Sequence, residues 1–165
     1  DDVTDATYWL IENEFADKER ICIAGASYGG YASLMGTIKE PDLYQCAISV
    51  NGVTNLPKLK SQDKFTTIGG RDWTKTMGLK GVDDEDVSPH HRAEEINIPV
   101  LLISSKDDAR IPYTHTKDTH SKLKRLKKDS HYVKLDNGTH HMLTAESRLV
   151  TLRETEKFLA KHIGN

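Results

Sequence analysis

Four short apolar runs, set among longer amphipathic stretches, restrict this chain more than any other feature of its sequence. The runs are Ile21-Cys22-Ile23-Ala24, Cys46-Ala47-Ile48-Ser49-Val50, Val100-Leu101-Leu102-Ile103 and His131-Tyr132-Val133-Lys134-Leu135. Each has the length of a strand. The first is continuously apolar, as a strand covered on both faces should be. Around them the pattern predicts helices. Over 2–16, Val3, Ala6, Trp9 and Leu10 share one helical face. A second helix is expected over 28–38, stopped by Pro41. Others are expected over 113–128 and 145–161. Residues 51–98 read as polar and irregular, with one short helix near 54–60. Strand and helix in alternation point to an α/β fold, a mostly parallel sheet with right-handed crossovers and flanking helices.

Four strands are few for a sheet that needs helices on both faces. The chain also opens with Asp1-Asp2 inside a helical pattern and has no initiator Met. Residues 1–165 are therefore expected to be the C-terminal part of a single larger domain. Its bulk properties narrow the partners. With 36% apolar and 29% charged residues it reads as an ordinary globular chain. A formal net charge of −2 gives no reason to expect nucleic acid or an anionic membrane. The basic residues between Lys122 and Lys128 fall on a helical pattern and read as a solvated face. No apolar run approaches the roughly 18 residues that a membrane span needs. Cys22 and Cys46 lie in separate strand-like runs and read as core, without a disulfide framework. No cofactor is expected. There is no zinc-type Cys pair and no phosphate-binding Gly-rich loop, and Gly69-Gly70 reads as a turn.

The chemistry gathers where the predicted strands end. Gly25-Ala26-Ser27-Tyr28-Gly29 fits the pattern G-x-S-x-G, a strand reversing into a helix within one tight turn. Such a turn leaves the serine strained with its hydroxyl exposed, and side chains at the flanking positions are expected to clash. The helix N-terminus beneath Ser27 turns the Tyr28 N–H toward a developing oxyanion. A hydroxyl nucleophile needs a base, and the base needs an orienting carboxylate. The third run leads into Asp107-Asp108 and the fourth into His140-His141, in the order Ser, Asp, His that this arrangement requires. Catalytic groups of α/β sheets collect at these carboxyl ends. Each later loop offers two candidates, and the spare residue of each pair reads as a solvated side chain. His90, His91, His115, His120, His131 and His162 read as surface groups. No third ligand of suitable spacing accompanies His90-His91, so no metal site is expected.

These residues carry a resemblance. Asp2-Val3-Thr4-Asp5-Ala6 with Trp9-Leu10-Ile11, Asp17-Lys18-Glu19-Arg20-Ile21-Cys22-Ile23, and Gly25-Ala26-Ser27-Tyr28-Gly29-Gly30-Tyr31-Ala32 resemble the catalytic domain of the prolyl oligopeptidase family of serine peptidases. The acylaminoacyl-peptidase and dipeptidyl-peptidase branches are the most similar. Ser88-Pro89, the Ile98–Ile103 run and the acidic loop ending Ile111-Pro112 continue the likeness along the whole chain.

The resemblance implies an α/β-hydrolase fold and peptide hydrolysis through an acyl-enzyme. Its usual spacing of the acid before the Ile-Pro proline selects Asp108, and its Gly-x-His turn selects His140. It implies Ser27, Asp108 and His140 as catalytic, Tyr28 in the oxyanion hole, and Val53, Leu56 and Arg110 at the substrate. This chain has Ser104-Ser105 where the family usually has His-Gly, and His141 where it usually has Gly. The upstream half of the sheet, the oxyanion-hole tyrosine and the β-propeller of the family are expected to lie outside these residues. A carboxylesterase with the same triad is the alternative activity. The isolated chain is expected to self-associate through its uncovered strand and to hydrolyse substrate weakly or not at all.

Overall fold

A computed structural model describes residues 2–63 and 81–164. The described chain runs α1 (Asp2–Glu12), β1 (Cys22–Ala26), α2 (Tyr28–Lys39), β2 (Cys46–Val50), α3 (Leu56–Asp63), β3 (Val100–Ser105), α4 (Thr114–Arg125), β4 (Ser130–Leu135) and α5 (Ala145–Ile163). Gly69-Gly70 lies outside the described residues. The four strands form one sheet in the order β1-β2-β3-β4, parallel at every pairing. This is the parallel, helix-flanked sheet expected of an α/β-hydrolase, and all four strand carboxyl ends point to one rim.

The central strands are apolar because both of their faces are covered. On one side Ala47, Val100 and Leu102 pack with Leu34, Met35 and Ile38 of α2 and Leu123 of α4. On the other, Cys46, Ile48, Val50, Leu101 and Ile103 pack with Phe158 of α5. Successive residues of β2 and β3 thus feed opposite cores, as the two-residue period of a strand requires. α2 ends as predicted beside Pro41. α5 starts at Thr144, whose hydroxyl accepts from the Ser147 N–H as an N-cap.

Three expectations need correcting. β1 is covered only in part, because it pairs with β2 on one side and leaves Ala24 and Ala26 exposed. Cys22 and Cys46 are Cα partners in the β1–β2 register, 4.6 Å apart, and are joined as a disulfide. The register, invisible to spacing along the chain, brings the sulfurs together. His115 is not a surface group but fully buried on α4, with its Nε2 2.8 Å from Gln62 Oε1. Burial, with Lys58 nearby, pushes the His115 imidazole down to about 4. Burial, together with His91 and Lys122, takes half-buried His90 to about 4 as well. Among the described residues, no helix is long and apolar enough to cross a membrane.

Candidate active site

Ser27 stands between β1 and α2, with φ 56° and ψ −118°. A β-carbon residue in that region is strained, and the surrounding turn must hold it there. Its N–H donates to the Val50 carbonyl at 2.9 Å, so the turn is anchored to the end of β2. The flanking glycines are not equivalent. A Cβ on Gly25 would sit 2.2 Å from the Gly29 carbonyl oxygen, whereas one on Gly29 would meet nothing within 4 Å. The expected clash therefore holds at Gly25 and not at Gly29. The second tight position is Gly30, where a Cβ would lie 2.7 Å from Ser49 Oγ and 2.9 Å from Gly52 Cα. Close packing of α2 on the sheet excludes a side chain there.

The other two loops deliver their side chains to the same point. His140 Nε2 lies 3.0 Å from Ser27 Oγ, and His140 Nδ1 lies 2.7 Å from Asp108 Oδ2. A carboxylate beside Nδ1 makes that nitrogen the donor and leaves Nε2 free to accept the serine proton. Asp108 has no exposed side-chain surface, and its other oxygen, Oδ1, accepts from the Arg110 N–H at 2.8 Å and the Ile111 N–H at 2.9 Å. Two backbone amides therefore aim Oδ2 at the imidazole. Asp107 and His141 are exposed, and neither joins the row. The acid and histidine loops are tied to each other as well, by Lys106 N–H to Leu135 O at 2.9 Å and Asp107 N–H to Gly138 O at 3.0 Å.

The remaining candidates surround this row. Tyr28 is the first residue of α2, in the turn whose N–H groups have no partner within the helix, and the residue is 58% exposed. Val53 is half-buried and Arg110 exposed, whereas Leu56 is 2% exposed and presents almost no surface to solvent. The loop carrying Val53 is braced from below. Thr54 Oγ1 donates to the His115 carbonyl at 2.9 Å and accepts from Thr119 Oγ1 at 2.8 Å. The Thr54 carbonyl accepts from the His90 N–H at 2.8 Å. Sequence reasoning passed over this network, and also Asn51. Asn51 Oδ1 accepts from the Ser105 N–H at 2.8 Å, while its Nδ2 donates to the His140 carbonyl at 3.1 Å. An Asn-Gly pair at the end of an apolar run is the one local signal that could have drawn attention to it.

A sequence model of the prolyl oligopeptidase family matches residues 1–165. The chain belongs to the prolyl oligopeptidase family. Among relatives, it is 27% identical over 170 residues to dipeptidyl aminopeptidase BIII of Pseudoxanthomonas mexicana, covering 99% of this chain and 25% of that protein. Among solved structures, Pyrococcus horikoshii acylaminoacyl peptidase is similar at 26% identity with a TM-score of 0.80, over 96% of this chain and 26% of the other. An acylaminoacyl peptidase in complex with Z-Gly-Gly-Phe-chloromethyl ketone is similar to the same degree, with a TM-score of 0.80, 26% identity and coverage of 96% and 26%. The chain thus spans about a quarter of the length of each of these three proteins.

Proposed function

We propose that this chain carries the catalytic residues of a serine peptidase that hydrolyses short peptides through an acyl-enzyme. The observation that carries the reading is the continuous row Ser27 Oγ, His140 Nε2, His140 Nδ1, Asp108 Oδ2, with separations of 3.0 and 2.7 Å. In acylation His140 Nε2 takes the Ser27 proton as Oγ bonds to the peptide carbonyl carbon. The carbonyl oxygen becomes an oxyanion, and the Tyr28 N–H donates to it. Collapse of the adduct breaks the C–N bond, and His140 returns the proton to the departing amine. Water then repeats the sequence, with Ser27 as leaving group. Asp108 holds the imidazole tautomer and stabilises its cation. Arg110 reaches a substrate carbonyl, Val53 lines the pocket for the residue before the scissile bond, and Leu56 backs that wall. A carboxylesterase could use the same row. Peptidyl anilides and short p-nitrophenyl esters, compared on the polypeptide that includes the upstream sequence, separate the two activities. A peptidase turns over both, because His140 protonates an amine leaving group. Turnover of esters alone would reject the peptidase reading.

We further propose that these residues are the C-terminal part of a larger catalytic domain. The match to only 25% of dipeptidyl aminopeptidase BIII supports this, as does the one-sided pairing of β1. Val3, Trp9, Leu10 and Phe15 add exposed apolar surface from α1 and the turn after it. An open strand edge and exposed apolar side chains each invite pairing with another chain. The isolated 165 residues are therefore expected to self-associate, with little hydrolytic activity. Light scattering tests this, and a monodisperse monomer would count against it.

A further inference from the structure

Asn51 bridges the end of β3, from which the acid loop leaves, to the loop that delivers the base, yet no step of the reaction above uses it. It directly follows β2 with φ 48°, a left-handed conformation that Asn tolerates better than most residues. Its residue surface is 2% exposed. Three hydrogen bonds leave it in three directions. The backbone N–H donates to the Ile103 carbonyl at 2.8 Å. Oδ1 accepts from the Ser105 N–H at 2.8 Å, just ahead of the acid loop. Nδ2 donates to the carbonyl of His140 itself, at 3.1 Å. A planar amide offers an acceptor and a donor from one rigid group, which is what a bracket between two backbones needs.

We infer that Asn51 is a positioning residue that holds the His140 backbone, and through it the imidazole, in line between Ser27 and Asp108. The inference rests on reading those three as the catalytic row. Both partners of the ring are side chains, Ser27 Oγ and Asp108 Oδ2, and neither restrains the backbone of the histidine loop. The bonds from Lys106 and Asp107 hold that loop at Leu135 and Gly138, upstream of the histidine. Asn51 grips it at the histidine. A displacement of the base by about 1 Å is enough to cost on the order of a hundredfold in rate.

Asn51→Gly tests this, because glycine accepts the positive φ without steric cost while losing both side-chain bonds. Ser130→Ala is the comparison. It removes a partly buried side-chain hydrogen bond, between Ser130 Oγ and His120 Nδ1 at 2.8 Å, from the opposite end of β4. In the whole protein, kcat, KM, the melting temperature and the far-downfield proton resonance of His140 Nδ1–H are measured, the resonance being assigned by its loss in His140→Ala. Asn51→Gly is expected to lower kcat about ten- to a hundredfold with KM nearly unchanged, and to broaden or shift that resonance. Ser130→Ala is expected to lower the melting temperature and leave both readouts alone. An unaltered resonance and kcat in Asn51→Gly, with only a fall in melting temperature, would overturn the inference. If the unmodified protein neither hydrolyses peptides nor reacts with a fluorophosphonate, the peptidase reading fails instead. The resonance still decides whether Asn51 orients His140.

Discussion

Replacing Ser27 with alanine in the whole protein is expected to lower kcat on a peptide substrate by about a million-fold and to abolish covalent capture by a fluorophosphonate. The size of the loss follows from the geometry. Ser27 Oγ is the one hydroxyl in the hydrogen-bonded row, and the carboxylate at its other end lies beyond the imidazole and cannot take its place. On the proposed mechanism, what survives is the contribution of binding and of the Tyr28 N–H, which would act on a substrate whether or not a nucleophile is present. Alanine keeps the β-carbon and so keeps the strain of φ 56°. The melting temperature is therefore expected to hold, and the loss of rate can be assigned to chemistry. Labelling that persists in Ser27→Ala would refute the assignment of the nucleophile.

Asp108→Asn is expected to lower kcat by about ten-thousand-fold, through the tautomer of His140. The two backbone amides at Arg110 and Ile111 donate to one oxygen of the Asp108 side chain at 2.8 and 2.9 Å. In the asparagine variant the remaining carbonyl oxygen satisfies those donors, because an NH2 group there would face two N–H groups. The NH2 then turns toward His140 Nδ1, which must accept rather than donate. Nε2 consequently carries the proton, and it can no longer receive one from Ser27. Asp107→Asn, exposed in the same loop, serves as the comparison and should leave kcat unchanged. Equal losses in the two variants, or a loss below about tenfold in Asp108→Asn, would break this account.

The parts of the fold that could be read from the chain are those whose cause is local. β2 was legible to the residue, and β3, β4, α2 and α5 within a few positions. Their apolar runs are bounded by Pro41, Pro99 and the Thr144 cap. β1 looked like β2 in composition, but composition does not say how many neighbours a strand has. The same limit hid the disulfide, because Cys22 and Cys46 become neighbours only through a parallel register. His115 was misread for a related reason. α4 is strongly polar, and its histidine is buried by α3 and the loop of Thr54 rather than by an apolar face of its own.

The sequence alone determined the chemistry on offer: a serine in a strand-to-helix turn, then acid and histidine loops after two later strands, in the order this fold uses. Which acid and which histidine serve was open on the residues themselves, since Asp107-Asp108 and His140-His141 are adjacent pairs of like chemistry. Tertiary structure separates each pair. Neighbouring residues in a tight loop point in different directions, so the Arg110 and Ile111 amides can fix Asp108 inward while Asp107 faces solvent. Asn51 is the fullest case of the same division. Its partners, Ser105 and His140, are remote along the chain and meet only because parallel strands end side by side. Local sequence carries propensity and order, whereas distance between loops exists only after the sheet has formed.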